Sequence, residues 1–105
     1  MASIEVTRAV RSAQTQGWHV ERGQSLGLLD DQLVAVAENL VEAALGAVGT
    51  AEPERRELVS IYTGEGVSAE RGEELAEAIR AAYPHLEVEV AAGGQPHYPY
   101  ILSLE

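Results

Sequence analysis

The chain has 105 residues and 11.2 kDa, with seven arginines, no lysine and seventeen acidic residues, giving a formal net charge of −10 and a pI near 4.6. That charge repels a phosphate backbone, so nucleic acid is not expected as a partner, and it reads as a solvated surface. The lack of cysteine rules out disulfides and thiolate zinc sites; no apolar run approaches the ~20 residues that span a bilayer, and MASIEVTRAV lacks the apolar core of a secretory signal. The expectation is a soluble, cytoplasmic protein, a single domain over residues 1–105.

In chain order, Ile4, Val6 and Val10 recur at even spacing, which predicts a strand with one buried face. From Trp18 to Val36, WHVERGQSLGLLDDQLVAV breaks into short apolar pieces at Arg22-Gly23-Gln24 and at Asp30-Asp31. Glycine and aspartate tolerate positive φ, so two or three short antiparallel strands follow. Val41, Ala44, Leu45 and Val48 stand at i, i+3, i+4 and i+7, predicting a helix from Glu38 to Val48 ended by Gly49. The polar stretch TAEPERRE, about residues 50–57 with Pro53 at its centre, reads as an internal linker between two halves.

The second half opens with Leu58-Val59-Ser60-Ile61-Tyr62, an apolar, β-branched run that predicts a buried strand ending at Gly64-Glu65-Gly66. Ser68 is an N-cap for a helix running to Tyr83, with Gly72, Leu75, Ala76, Ile79, Ala82 and Tyr83 on one face and Pro84 as its stop. Leu86 to Val90 alternates apolar and acidic residues, a strand covered on one side. The whole is an α/β (α+β) fold: a mixed sheet with antiparallel N-terminal strands, a C-terminal βαβ unit and two main helices.

Gly64-Glu65-Gly66-Val67-Ser68-Ala69 matches the letter of a dinucleotide fingerprint, yet Glu65 would set a carboxylate beside the phosphates. A tight strand-to-helix turn accounts for both glycines. His19, His85 and His97 are too far apart to form a helical histidine pair, so no metal site is expected. Ser60 lacks a nucleophile elbow, and alternation alone makes Glu87 and Glu89 solvent-facing acids. No catalytic residues are assigned.

The candidate site is the stretch GGQPHYPY, with Gly93, Gly94, Gln95, Pro96, His97, Tyr98 and Tyr100 as the residues of interest. The glycines permit an otherwise forbidden backbone turn, and Pro96 and Pro99 fix φ near −65° and stiffen it. The tyrosines offer apolar rings with a hydroxyl handle, suited to a sheet end or to a protein interface. Physical reading alone leaves a structural corner and a recognition loop both open. Two other classes stand beside docking. One is a small-ligand site in which Gly94, Gln95 and His97 bind an acyl carboxylate or phosphate with Arg8 or Arg11 as counter-charge; the other is a homodimerisation module.

VTRAVR, VERGQSLGLLDDQLV, LVSIYTGEGVS and above all GGQPHYPYILSLE resemble the C-terminal domain of the bacterial fatty-acid kinase catalytic subunit; the group is often labelled dihydroxyacetone-kinase-like or "DAK phosphatase". The resemblance runs from about Val6 to Glu105 and implies that the chain is the C-terminal fragment of a larger kinase-like protein of lipid metabolism. It implies that ATP and magnesium belong to an N-terminal kinase domain, so that these residues need no cofactor and the domain alone is not an enzyme. Asp30 and Asp31, in a predicted hairpin turn, are not the family's magnesium cluster. The implied partners are the remaining domains of the parent chain and a fatty-acid-binding DegV-like subunit. The stretch from Leu58 to Tyr100 is itself similar to a segment of DegV-like proteins, though without their His-Thr-Gly-Pro-Gly loop.

Overall fold

A computed structural model describes residues 1–105. Eight strands are present: β1 (Ala2–Arg8), β2 (Ala13–Thr15), β3 (Trp18–Val20), β4 (Ser25–Leu29), β5 (Gln32–Ala37), β6 (Leu58–Thr63), β7 (Glu87–Ala92) and β8 (Tyr100–Leu104). Helix α1 is Leu40–Thr50, α2 is Ala69–Ala82, and Pro53–Arg55 forms a 3-10 turn. Six strands make one mixed sheet in the order β5-β4-β1-β8-β6-β7, in which the β6/β7 pair is parallel and the other pairs are antiparallel. The expected mixed sheet, antiparallel N-terminal strands, βαβ unit and two helices are all present. No helix is long and apolar enough to cross a membrane.

Alternation decides which face is covered. Ile4, Val6, Val59, Ile61, Leu102 and Leu104 are fully buried on one side of the sheet, in a single cluster with Ala43, Ala44, Ala47 and Val48 of α1 and Leu75, Ala76 and Ile79 of α2. Both helices therefore lie on that side. Ser3, Ser60, Tyr62, Glu87 and Glu89 point to the other side, where the Ser60 hydroxyl donates to Glu89 at 3.1 Å.

The helices reach the sheet because glycine gives them room. A Cβ on Gly27 of β4 would sit 2.7 Å from the Ala43 carbonyl oxygen and 3.0 Å from the Ala47 Cβ. A Cβ on Gly72 of α2 would meet Thr63 and Val90, each at 2.7 Å. This corrects half of the expected face of α1: Ala44 and Val48 are fully buried as expected, but Leu40, Ala43 and Ala47 complete the inner face, and the larger Val41 and Leu45 are only half-buried on its flank. At so short a distance only small side chains fit between helix and strand.

The helix also runs through Gly49 to Thr50, with Asn39 as its cap: the Asn39 Oδ1 accepts from the Glu42 amide at 2.9 Å, an arrangement worth about 1 kcal/mol. Ser68 caps α2 as expected, accepting from the Arg71 amide at 3.2 Å, while Ala82 proves exposed. Strand β1 stops at Arg8 and leaves Val10 84% exposed, so the even spacing overran the true end by two residues. The stretch 50–57 read as a linker is mostly exposed but is fixed at two points: Ala51 and Pro53 are buried, and the Pro53 carbonyl lies 2.9 Å from the His85 ring.

Asp30 and Asp31, at φ 47° and 71°, form the predicted two-residue turn between β4 and β5. The β2/β3 hairpin was not foreseen. Its turn, Gln16-Gly17 at φ 49° and 82°, has the same chemistry, but the strands beside it are short and nearly all exposed. Because α1 is seated on Gly27, Gly27→Ala should overpack the helix–strand contact and cost about 1–3 kcal/mol. A lower urea midpoint at unchanged slope is the expected result; an unchanged midpoint would show that α1 can lift off freely.

Candidate functional site

β7 and β8 flank β6 on opposite sides, so the stretch Gly93–Pro99 must pass over the carboxyl end of β6. It is bound there by backbone and side-chain hydrogen bonds. The Gly93 and Gly94 amides both donate to the Thr63 carbonyl at 2.9 Å, Glu65 donates to Gln95 O at 2.9 Å, and Gly64 donates to Pro99 O at 2.8 Å. The Gln95 carboxamide folds back under the loop and donates to the Tyr62 and Tyr98 carbonyls, each at 3.0 Å. Thr7 of β1 donates its hydroxyl to His97 O at 2.9 Å.

At the tip, the Tyr98 amide donates to Pro96 O at 2.9 Å around His97, whose φ is 72°. This is a γ-turn with positive φ at its centre, a rare and strained form, and a non-glycine residue held there costs about 1–3 kcal/mol. His97 and Pro96 are exposed and Tyr98 is half-buried; with Glu65, Gln95 and Pro99, His97 and Tyr98 line a shallow depression of about 200 Å³.

The glycines of this region have distinct reasons. Gly66 and Gly94 have positive φ, 79° and 70°, with open space around them. Gly64 would collide with the Tyr98 carbonyl if it had a Cβ, and Gly93 with the Gln95 side chain. The expectation that a tight strand-to-helix turn explains both Gly64 and Gly66 is therefore half right: Gly64 is small to admit the loop.

Tyr100 separates from the other site residues. It is 3% exposed, the first residue of β8, and its hydroxyl donates to the Arg71 carbonyl at 3.2 Å. It anchors the loop's exit and borders a larger cleft, about 540 Å³, between α1 and α2. Arg8, Arg71, Asn39, Glu42 and Glu74 also line that cleft. Burial raises the Tyr100 phenol above its ordinary pKa; nearby Arg71 and Arg8 oppose the rise and Glu74 adds to it. Sequence reading paired Arg8 with the His97 loop, whereas its side chain lies in this cleft with Arg71, a partner 63 positions away that no local spacing signals.

Elsewhere, His19 lies 2.6 Å from Glu21, and Ser12 donates to the other Glu21 oxygen at 3.0 Å. The carboxylate stands between serine and histidine, so the histidine cannot take the serine proton, and the grouping is not a nucleophilic relay. Those bonds, from His19 first and then Ser12, hold the Glu21 carboxyl below its usual range. No three His, Cys, Asp or Glu residues converge as metal ligands.

A profile of the FakA-like C-terminal family, named for a fatty acid kinase, matches residues 1–105. Protein YloV of Bacillus subtilis is 34% identical over 103 residues, 98% of this chain and 19% of that protein. Uncharacterized proteins of Staphylococcus haemolyticus and Staphylococcus epidermidis are 31% and 29% identical, each over 98% of this chain and 19% of the relative. The chain thus spans about a fifth of the length of the relatives it matches.

Gly64→Ala should displace the loop and speed amide exchange at Glu65 and Tyr98, whereas Gly66→Ala should cost about 1–2 kcal/mol and leave those amides protected. Equal exchange in the two variants would show that the loop does not depend on the Gly64 contact. For Tyr100, a folded-state pKa above the ordinary 10.0 means that its contribution to stability is complete below that pH and is lost as pH rises through the folded value. Urea midpoints above about pH 10 should accordingly fall less steeply in Tyr100→Phe than in the wild type. Parallel curves would contradict a raised phenol.

Proposed function

The chain belongs to the fatty acid kinase FakA-like C-terminal family, and from that premise we propose that it is a noncatalytic docking domain, which engages a fatty-acid-binding, DegV-like subunit. Phosphoryl transfer from ATP, with magnesium, is then the task of a kinase domain outside these 105 residues. The C-terminal domain's task is to bring the acyl carboxylate carried by the partner within reach.

The observation that carries this reading is the loop's shape. A strained γ-turn is held by the Gln95 carboxamide, Thr7 and the end of β6, and it presents Pro96, His97 and the edge of Tyr98 to solvent. Loops that are ordered before binding lose little conformational entropy on association, and backbone strain persists where the surrounding structure over-determines it. Gly93 and Gly94 set the loop's path and Gln95 braces it; His97 and Tyr98 are the contact side chains. Tyr100, being buried, acts as the anchor.

Calorimetric titration of the fatty-acid-binding subunit into this domain tests the proposal. His97→Ala/Tyr98→Ala, with unchanged circular dichroism, should raise Kd at least about tenfold, equivalent to ~1.4 kcal/mol. Unchanged affinity in the double variant, or no heat with the folded wild type, would refute docking through this loop.

A further inference from the structure

The sheet ends in two outer strands, β5 and β7, and their edges differ. On β5 the Leu33 amide donates to the Gln16 Oε1 at 3.0 Å, so a side chain of the β2/β3 hairpin covers that edge. On β7 the Glu87 amide donates to the Glu57 carbonyl and the Gly93 amide to the Thr63 carbonyl, so the odd-numbered residues bond toward β6. Successive residues of a strand turn their backbone groups to opposite sides, which leaves the amides and carbonyls of Val88, Val90 and Ala92 facing outward. An arginine of α2 closes the first part of this edge: Arg80 donates to the Val88 carbonyl at 2.7 Å and to Glu73 at 3.4 Å. Val90 and Ala92 have no such cover, because β7 pairs with β6 alone.

A bare row of amides and carbonyls pairs readily with another chain, and sheets blunt it with charges or covering side chains. That protection stops within β7: Ala91 and Ala92 are exposed and carry neither. The surface beside the bare edge has one sign of charge. Glu87 and Glu89 are exposed on the face that the helices leave uncovered, and β6, β7 and β8 contain no basic residue. A second copy of the chain is a poor match, since it would bring the same acids and a further net charge of −10.

We propose that the edge of β7 at Val90 and Ala92 receives an extended segment of a protein partner as a further strand of the sheet, with lysine or arginine side chains of that segment beside Glu87 and Glu89. Main-chain hydrogen bonds to the free amides and carbonyls supply the attraction, as in other cases of strand addition to an open edge. Opposite charges on neighbouring strands then select a basic segment over an acidic or neutral one and fix its register. Arg80 sets the limit of the ladder, because the Val88 carbonyl is already engaged. The inference does not depend on docking through the loop, since no residue of 93–99 takes part in it.

Amide spectra and amide exchange of the 105-residue chain, titrated at constant ionic strength with the peptide acetyl-Lys-Val-Lys-Val-Thr-amide, provide the test. The expected result is saturable shifts and slowed exchange at Val90 and Ala92, with little change at the covered Leu33 edge. A glutamate version of the peptide and a backbone-N-methylated version should each bind at least tenfold more weakly. Ala92→Pro removes an outward amide that an edge strand can lose without unfolding, and Glu89→Lys reverses the charge beside it; each should weaken the lysine peptide at least tenfold while the spectrum stays dispersed. Arg80→Ala should extend the slowed exchange to Val88, and His97→Ala/Tyr98→Ala should leave peptide binding unchanged. No saturable shift at Val90 and Ala92, or equal binding of the N-methylated peptide, would overturn strand addition. Equal binding of the glutamate peptide would overturn the basic partner, and the same shifts on concentrating the protein alone would assign the edge to a second copy instead.

Discussion

The final strand holds the sheet together. β8 lies between β1 and β6, pairing with Ala2–Val6 on one side and Val59–Thr63 on the other, and Leu102 and Leu104 are fully buried beneath the helices. Without it, the antiparallel half (β5, β4, β1) and the βαβ half (β6, α2, β7) would share no strand contact, because no other strand joins them. Its position forces the route of the chain before it. From β7, on the far side of β6, the backbone can reach β8 only by crossing an end of β6, and seven residues do so over the carboxyl end. The loop's composition follows from that path: Gly64 yields to the Tyr98 carbonyl, Gly94 takes a positive φ, and Gln95 replaces the water that the Tyr62 carbonyl would otherwise need.

The same geometry concentrates chemistry at one end of the molecule. The carboxyl ends of β1 and β6, the entry to β8 and the N-terminal turns of both helices all converge there. Thr7 reaches the loop, and its neighbour Arg8 reaches the opposite, helix-covered side of the sheet. Consecutive residues of one strand thereby serve two surfaces, the loop above β6 and the cleft between the helices. Tyr100 lies between the two: its backbone closes the loop and its ring walls the cleft.

Much of the fold was legible because the local signals act over a few residues. Apolar alternation marked β1 and β7, a compact apolar, β-branched run marked β6, Ser68 marked the start of α2, and Asp30-Asp31 marked a turn that requires positive φ. What was not legible depends on contacts between distant residues. Ala43 and Ala47 face β4 because Gly27, sixteen residues before Ala43, lets the helix descend onto that strand. The true reason for Gly64 lies in Tyr98, and the meeting of Arg8 with Arg71 depends on the order of strands, which periodicity does not encode. GGQPHYPY stood out by composition, yet composition could not separate Tyr98, half-buried in the loop, from Tyr100, in the core.

The strained backbone at His97 has a cost in stability. A glycine at that position would adopt φ 72° without penalty, whereas histidine there carries a steric cost of about 1–3 kcal/mol against a total stability of only ~5–15 kcal/mol for a small domain. The Thr7 and Gln95 hydrogen bonds, each worth about 1 kcal/mol, are of the size needed to offset it. The effect is to fix an imidazole at the apex of a rigid turn instead of leaving it on a mobile tether. A rigid turn held at this cost gives up folding stability, and any partner that met it would find the imidazole already ordered.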